Sequence, residues 1–315
     1  MTFMCAATMQ QQAPPEAAIE TQGLTKAYGP ILAVDHLDLR VDLGEVVGFL
    51  GPNGAGKTTT MRMLLGLVRP SSGSSRLLGM DTSDNLAAIL ARTGSIIENP
   101  TFYPFLSGRD NLRVIAKITG SDPAAIADVL EIVDLTSAAH RKFKGYSLGM
   151  KQRLAVAAAL LPGPDLLILD EPANGLDPAG IVEMRKLMSR LKDEGRTVLI
   201  SSHVLHEIEQ MCDRIVILNH GRIVVQGRVA ALLGARAQIE IRIERAGEAE
   251  ALLAPVPWIE GVTRDGDLLT VSAPLTRAAE INAILGRAEL FASDIHPRET
   301  SLEQYFLDVT GDVPK

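Results

Sequence analysis

Residues 51 to 59, GPNGAGKTT, set Gly51, Gly54 and Gly56 around a single cation, Lys57, and follow it with Thr58 and Thr59. Gly51, Gly56, Lys57 and Thr58 fit the pattern G-x-x-x-x-G-K-[ST], whose chemistry is the holding of phosphate. Glycine lets backbone N–H groups turn inward and come close to phosphate oxygens. The N-terminus of a following helix adds partial positive charge, and the lysine adds a full one. The residues expected to hold a nucleotide are therefore Gly51, Pro52, Asn53, Gly54, Ala55, Gly56, Lys57, Thr58 and Thr59, with the Thr58 hydroxyl also offered to Mg²⁺.

A magnesium-bound triphosphate needs an anionic anchor, and LLILDEP supplies Asp170 with Glu171 beside it, after four apolar residues. Asp170 is expected to hold the metal through water. Glu171 is expected to polarise the attacking water as general base. The alternative is a capped strand end, but two adjacent acids are costly to desolvate for structure alone.

These groups need rigid elements behind them. EVVGFL, just before the phosphate loop, is a continuous apolar run, as expected of a strand covered on both faces by helices. LLILD and TVLIS read the same way, and open α/β sheets hold ligands beyond the carboxyl ends of such strands. LDLRVDL alternates Leu37, Leu39, Val41 and Leu43 against Asp38, Arg40 and Asp42, the period of a half-buried strand. Helices are expected at KTTTMRMLLGLV, over most of 84 to 160, near 204 to 212, and at PAGIVEMRKLMSRLK. The last has Asp177 as N-cap, Pro178 at its first position and an apolar stripe through Ile181, Met184, Leu187, Met188 and Leu191. RIVILNHGRIVVQG reads as two strands around a tight turn.

Strands alternating with helices predict an α/β fold, a mainly parallel sheet flanked by helices with an antiparallel β addition. The expected organisation is a disordered tail over 1–18, a nucleotide-binding domain over 19–233 with a helical subdomain at about 97–160, and an accessory α+β module over 234–315. In that module IEIRIE, EAEALL, RDGD, RAAEINAILGRA and SLEQYFLDV follow a βαββαβ-like order.

The 315 residues carry a net charge of -7, so there is no overall basic field to hold a nucleic acid. With only two cysteines, Cys5 and Cys212, no disulfide framework is expected. No apolar stretch reaches the ~20 residues that span a bilayer, so a membrane role requires a partner.

The order GPNGAGKTT, YSLGMKQR, LLILDEP, NGLD and SSH resembles the ATP-binding subunit of ABC transporters over residues 19 to 233. The resemblance implies the P-loop ATPase fold and hydrolysis of ATP with Mg²⁺. It also implies a dimer, expected here as a homodimer, in which each site is completed by the signature segment of the opposite chain. Ser147 and Gly149 match that signature, here YSLGM where the commoner form is LSGGQ; Leu148 and Met150 depart from it. Independently, Ser147 can cap the following helix and aim its free N–H groups at an anion. His203 matches the residue that contacts the terminal phosphate and holds the water in line. Asp177 matches the loop that touches the partner, and Tyr28 the ring that stacks on adenine. Where the family commonly has a metal-side glutamine, this chain has Glu98, which can still bind Mg²⁺. The other five histidines, His36, His140, His206, His220 and His296, read as structural.

Phe102, Tyr103 and Phe105 stand between Pro100 and Pro104 in a chain only 4% aromatic. They suggest either a surface for a partner or burial beneath the helical subdomain. By resemblance this loop meets a transmembrane subunit. The features are most similar to ABC-2 type exporter ATPases of the bacitracin, lantibiotic and drug-resistance branch, working at the cytoplasmic face of the cell membrane with a separate ABC-2 type permease. A soluble ABC ATPase acting on ribosomes or DNA is the other class; duplicated cassettes, coiled-coil insertions or zinc-type cysteine pairs would favour it, and the sequence has none. A nucleotide-binding regulator without turnover conflicts with Glu171 and His203 being in place.

Overall fold

The structure is a computed structural model and describes residues 17–97, 101–234 and 238–298. Its centre is a six-stranded sheet in the order Arg222–Arg228, Arg214–Asn219, Val46–Leu50, Thr197–Ser202, Leu166–Leu169 and Thr93–Ile96. Every pair is parallel except the Arg222–Arg228 edge. The apolar runs belong here because each strand feeds two cores at once. Val46, Leu50, Leu167, Leu169, Val198 and Ile200 face one core, lined by helices Gly108–Thr119, Ala125–Ile132, Leu148–Leu160, Pro178–Asp193 and Leu205–Met211. Val47, Phe49, Leu166, Ile168 and Leu199 face the other, so the period-two alternation of a strand shows no polar face in the sequence.

The second core is closed by an antiparallel sheet built on the long strand Ala17–Tyr28, which begins two residues inside the tail expected over 1–18, with Ala18 fully buried, and pairs with Ile31–Leu37, Arg40–Asp42 and Ser72–Leu77. Ile19, Leu24, Val34, Leu37, Leu39 and Val41 enter it together with Met61 and Leu64 of the helix Lys57–Leu64. The single strand expected over 37–43 is instead the end of Ile31–Leu37 and the short strand Arg40–Asp42, with Asp38 and Leu39 between them. Leu37, Leu39 and Val41 are fully buried, but Leu43 is exposed beyond the strand's end at Asp42.

The stretch expected to be mostly helical contains a strand, Thr93–Ile96, at the edge of the central sheet. Its Thr-Gly-Ser-Ile sequence has neither an apolar run nor alternation. Gly94 is required by the helix Leu148–Leu160 lying directly on it, because a Cβ there would stand 2.2 Å from the Ala159 carbonyl oxygen and 2.8 Å from Leu167 Cδ2. Gly94→Ala is expected to cost about 1–3 kcal/mol of stability, the scale of overpacking a core. The check is the urea midpoint, and an unchanged one would show that the helix can lift away freely.

Residues 238–298 form a third sheet in the order Gly261–Asp265, Leu268–Ser272, Gln238–Arg242, Asp294–Arg298, all antiparallel. Helices Ala246–Leu253 and Ala278–Arg287 cover it over a separate core that includes Ile239, Ile241, Leu269, Val271, Ile281 and Leu285. The last described strand lies upstream of SLEQYFLDV, which is outside the described residues, as are Glu98 and Pro100.

Candidate nucleotide site

Parallel pairing brings the chemistry to one edge of the sheet. Leu50 stands level with Ser202, and Leu169 with Ile200. The phosphate loop, the Asp170–Glu171 pair and His203 therefore leave three adjacent strands side by side. The loop enters the helix Lys57–Leu64 through Gly56 at φ +104, where a Cβ would meet the Ala33 carbonyl oxygen at 2.5 Å. A Cβ on Gly51 would stand 2.4 Å from the Leu218 carbonyl oxygen. These two glycines are demanded by backbone crowding as well as by phosphate approach.

Lys57 is 5% exposed; its Nζ donates to the Gly51 carbonyl at 2.7 Å and the Pro52 carbonyl at 3.2 Å. The same ammonium stands 3.7 Å from Glu171 Oε1. Burial lowers its pKa, while Glu171 and Asp170 work in the opposite sense. Among the described residues no side chain caps this helix start, so its N–H groups face the loop's ligand space.

Asp170 is held from both sides. Thr58 Oγ1 donates to its Oδ2 at 2.7 Å, and Ser201 Oγ donates to its Oδ1. Ser201 Oγ also accepts the Glu171 backbone N–H at 2.9 Å, so one fully buried hydroxyl sets the directions of both acids. Ser201 was legible only as a polar residue ending an apolar strand. Ser201→Ala is expected to lower ATP turnover roughly tenfold, the effect of loosening a supporting contact, in a steady-state phosphate-release assay.

Glu171 has φ +47, a left-handed conformation that a non-glycine residue rarely adopts. That backbone carries its carboxylate between Lys57 and His203, whose Nδ1 lies 3.2 Å from Glu171 Oε2. The two are close but poorly aligned, and this buried Nδ1 lacks a hydrogen-bond partner among the described residues. A polar atom left unsatisfied at a site mouth is what a further ligand would complete.

Two clefts meet at Thr58 and Glu171. One, of about 320 Å³, is lined by Tyr28, Ala33, Asn53, Gly54, Gly56, Lys57 and Thr59. The other, of about 570 Å³, is lined by Arg62, Leu148, Gln152, Asp170, Asn174 and Gly175. Tyr28 is half exposed at the mouth of the first, with Lys26 Nζ 4.9 Å from its ring centre. That cation lies in cation–π range, a feature the sequence reading missed.

Ser147, Gly149 and Asp177 line neither cleft. Ser147 caps the helix Leu148–Leu160 by accepting Met150 N–H at 3.2 Å, and Asp177 caps Pro178–Asp193 by accepting Gly180 N–H at 2.9 Å. A Cβ on Gly149 would come within 3.8 Å of Gly180 Cα, so the two helix starts lie against one another.

Glu207, in the first turn of the helix Leu205–Met211, is 8% exposed, and burial raises its carboxyl pKa. Folding thus favours the protonated form. Its stabilising effect is complete below the ordinary value of 4.5 and is lost as pH rises through the raised value. Glu207→Gln is therefore expected to raise Tm at pH 7.5, with the gain shrinking toward pH 4; a gain independent of pH would contradict this.

Comparison with known proteins agrees with this geometry. The model of the family described as "ABC transporter" matches residues 34–174. The bacitracin transport ATP-binding protein BcrA of Enterococcus faecalis is 40% identical over 94% of this chain and 97% of that protein. Its namesake in Bacillus licheniformis is 43% identical over 93% and 97%. A solved structure described as the ATP-binding subunit of an ABC transporter is 31% identical, with a TM-score of 0.61 over 68% of this chain and 91% of that one. The chain belongs to the ABC transporter ATP-binding proteins, and is an ATP-binding and ATP-hydrolysing transporter subunit. Among the described residues no helix is long and apolar enough to cross a membrane.

Proposed function

We propose that the chain powers export of a drug, a peptide antibiotic such as bacitracin, or a lipid-like substrate, by hydrolysing Mg²⁺-ATP at the cytoplasmic face of the cell membrane. The observation that carries the catalytic part is the Glu171 carboxylate, held between Lys57 and His203 at distances of 3.7 and 3.2 Å. Glu171 takes the proton of the attacking water, His203 holds that water against the terminal phosphate, and Lys57 with the loop's N–H groups carries the charge on the phosphates.

Thr58 and Asp170 offer oxygen donors to Mg²⁺. Among the described residues no group of three or more His, Cys, Asp or Glu could hold a metal alone, and that sparse set suits an ion which keeps water and takes phosphate oxygens. When bound, the ion neutralises charge on the phosphates. Glu98 is proposed as a further metal-side ligand. Tyr28 stacks on adenine.

Two copies close as a homodimer, with Ser147, Gly149 and Asp177 of each facing the other's nucleotide; their position outside the chain's own clefts supports that role. The proposed division is a cassette over 19–233 and an accessory module over 234–315. An ABC-2 type permease docks on the loop after the site. Of its three aromatics, Phe102 is buried against Phe143 at 5.0 Å between ring centres, while Tyr103 and Phe105 are 60% and 73% exposed. Burial of Phe102 fits the second reading of this loop, and the exposure of Tyr103 and Phe105 supports docking of a partner.

The test is co-expression with a candidate ABC-2 type permease. The chain should sediment with membranes and raise bacitracin tolerance, and Tyr103→Ser/Phe105→Ser should release it. Sedimentation with ribosomes instead would overturn the reading.

A further inference from the structure

Beside the phosphate loop three stretches of backbone converge. Strands Arg214–Asn219 and Arg222–Arg228 are joined by the two-residue turn His220-Gly221, with φ +47 and +79. A Cβ on Gly221 would stand 2.9 Å from the Ala33 carbonyl oxygen and 3.1 Å from Val34 Cα; the Cβ that Gly56 lacks would meet the same Ala33 oxygen. Hydrogen bonds run through the turn in both directions. Gly221 N–H donates to the Ala55 carbonyl of the phosphate loop at 3.0 Å, and Asp35 N–H donates to the Gly221 carbonyl at 2.9 Å. The turn is therefore a spacer wedged between the loop and the strand Ile31–Leu37.

One side chain locks it. Asp35, 7% exposed, accepts from Arg222 Nε and Nη2 on its Oδ2 at 2.5 Å, and its Oδ1 lies 2.6 Å from His36 Nδ1. The hydrogen bonds from His36 and Arg222 hold its carboxyl below the usual carboxylate range. Arg222 is 71% exposed, so the charge pair itself adds little to global stability, but two guanidinium nitrogens converging on one buried carboxylate oxygen fix its direction. What it fixes is the arm of the hairpin opposite Tyr28: Tyr28 pairs with Ile31, and Tyr28 and Ala33 both line the cleft of the phosphate loop.

We propose that Asp35, through Arg222, is a positioning residue that seats the Tyr28 hairpin on the phosphate loop and so sets how tightly the base of the nucleotide is held. This rests on the reading that Tyr28 stacks on adenine.

The experiment compares binding of ATP with binding of inorganic tripolyphosphate, which has no base, to the full chain, alongside steady-state ATPase kinetics. Asp35→Asn and Arg222→Gln should each weaken ATP roughly three- to tenfold, as expected for loss of a charge-assisted contact acting at one remove. KM should rise by the same factor, with kcat and tripolyphosphate affinity unchanged. The double variant should be no weaker than either single one, and Arg222→Lys should fall between. Equal weakening of ATP and tripolyphosphate overturns the proposal, because the damage would then be to the phosphate loop itself. So does unchanged ATP affinity. If Asp35→Asn fails to fold, the exposed Arg222 carries the test alone. Tyr28→Ala separates the two readings. If it spares ATP affinity, base stacking fails and the proposal falls with it; if it weakens ATP while Asp35→Asn and Arg222→Gln do not, only the clamp is wrong.

Discussion

Glu171→Gln is expected to cut ATP hydrolysis by roughly 10²- to 10⁴-fold, the range that general-base catalysis contributes, while leaving ATP affinity within about twofold. The amide has the same shape as the carboxylate, so the backbone at φ +47 and the Ser201 contact to Glu171 N–H survive the change. What disappears is the proton acceptor. The amide is not basic, and neither Lys57 nor His203 can replace it. Lys57 is engaged by the carbonyls of its own loop. His203 Nδ1 lies 3.2 Å from one Glu171 oxygen, Oε2, and in the proposed mechanism holds the water in line and does not take its proton. Single-turnover phosphate release, with binding measured separately, distinguishes loss of chemistry from loss of substrate; equal rates in variant and wild type would remove Glu171 from the role of base.

Lys57→Ala is expected to weaken ATP binding by about 10²-fold, equivalent to about 2.7 kcal/mol. The size follows from burial. Lys57 is 5% exposed, and the carboxylates of Glu171 and Asp170 stand close enough to raise its pKa against the lowering effect of burial. Removing the ammonium leaves those acids facing a triphosphate with no fixed cation between them, and charge-assisted contacts in a poorly hydrated site are the strong ones. Lys57→Arg is expected to rescue little. The space between the Gly51 and Pro52 carbonyls, reached at 2.7 and 3.2 Å, suits a compact ammonium and not a planar fork. Calorimetric titration with ATP checks both variants.

The parts of this molecule that could be read from the chain are those where one local pattern has one structural solution. Val46–Leu50, Leu166–Leu169 and the Val198, Leu199 and Ile200 centre of Thr197–Ser202 carry no polar side chain because each feeds two cores, and the loop after the first needs glycine for reasons visible in the pattern itself. Thr93–Ile96 was hidden because its Gly94 answers to Ala159, a residue 65 positions on in a helix that lies over it. Ser201 was hidden for a similar reason. A hydroxyl that ties Asp170 to the Glu171 backbone gains meaning only from the register of Leu169 against Ile200. The aromatic loop reads as one feature in the sequence, yet Phe143 and Tyr146 draw Phe102 inward and leave Tyr103 and Phe105 outside. Asp35 and Arg222 carry no signal at all, being 187 positions apart.

In the proposed mechanism two copies of the chain meet over bound nucleotide, with the signature helix start of each completing the other's site. Light scattering on size-exclusion chromatography of Glu171→Gln, run with and without Mg²⁺-ATP, reads this directly. The expected result is a monomer that becomes a dimer only with ATP, and that remains a monomer when Ser147→Arg is added to block the facing surface. A chain that binds ATP at saturation and stays monomeric, with or without its permease, would contradict it.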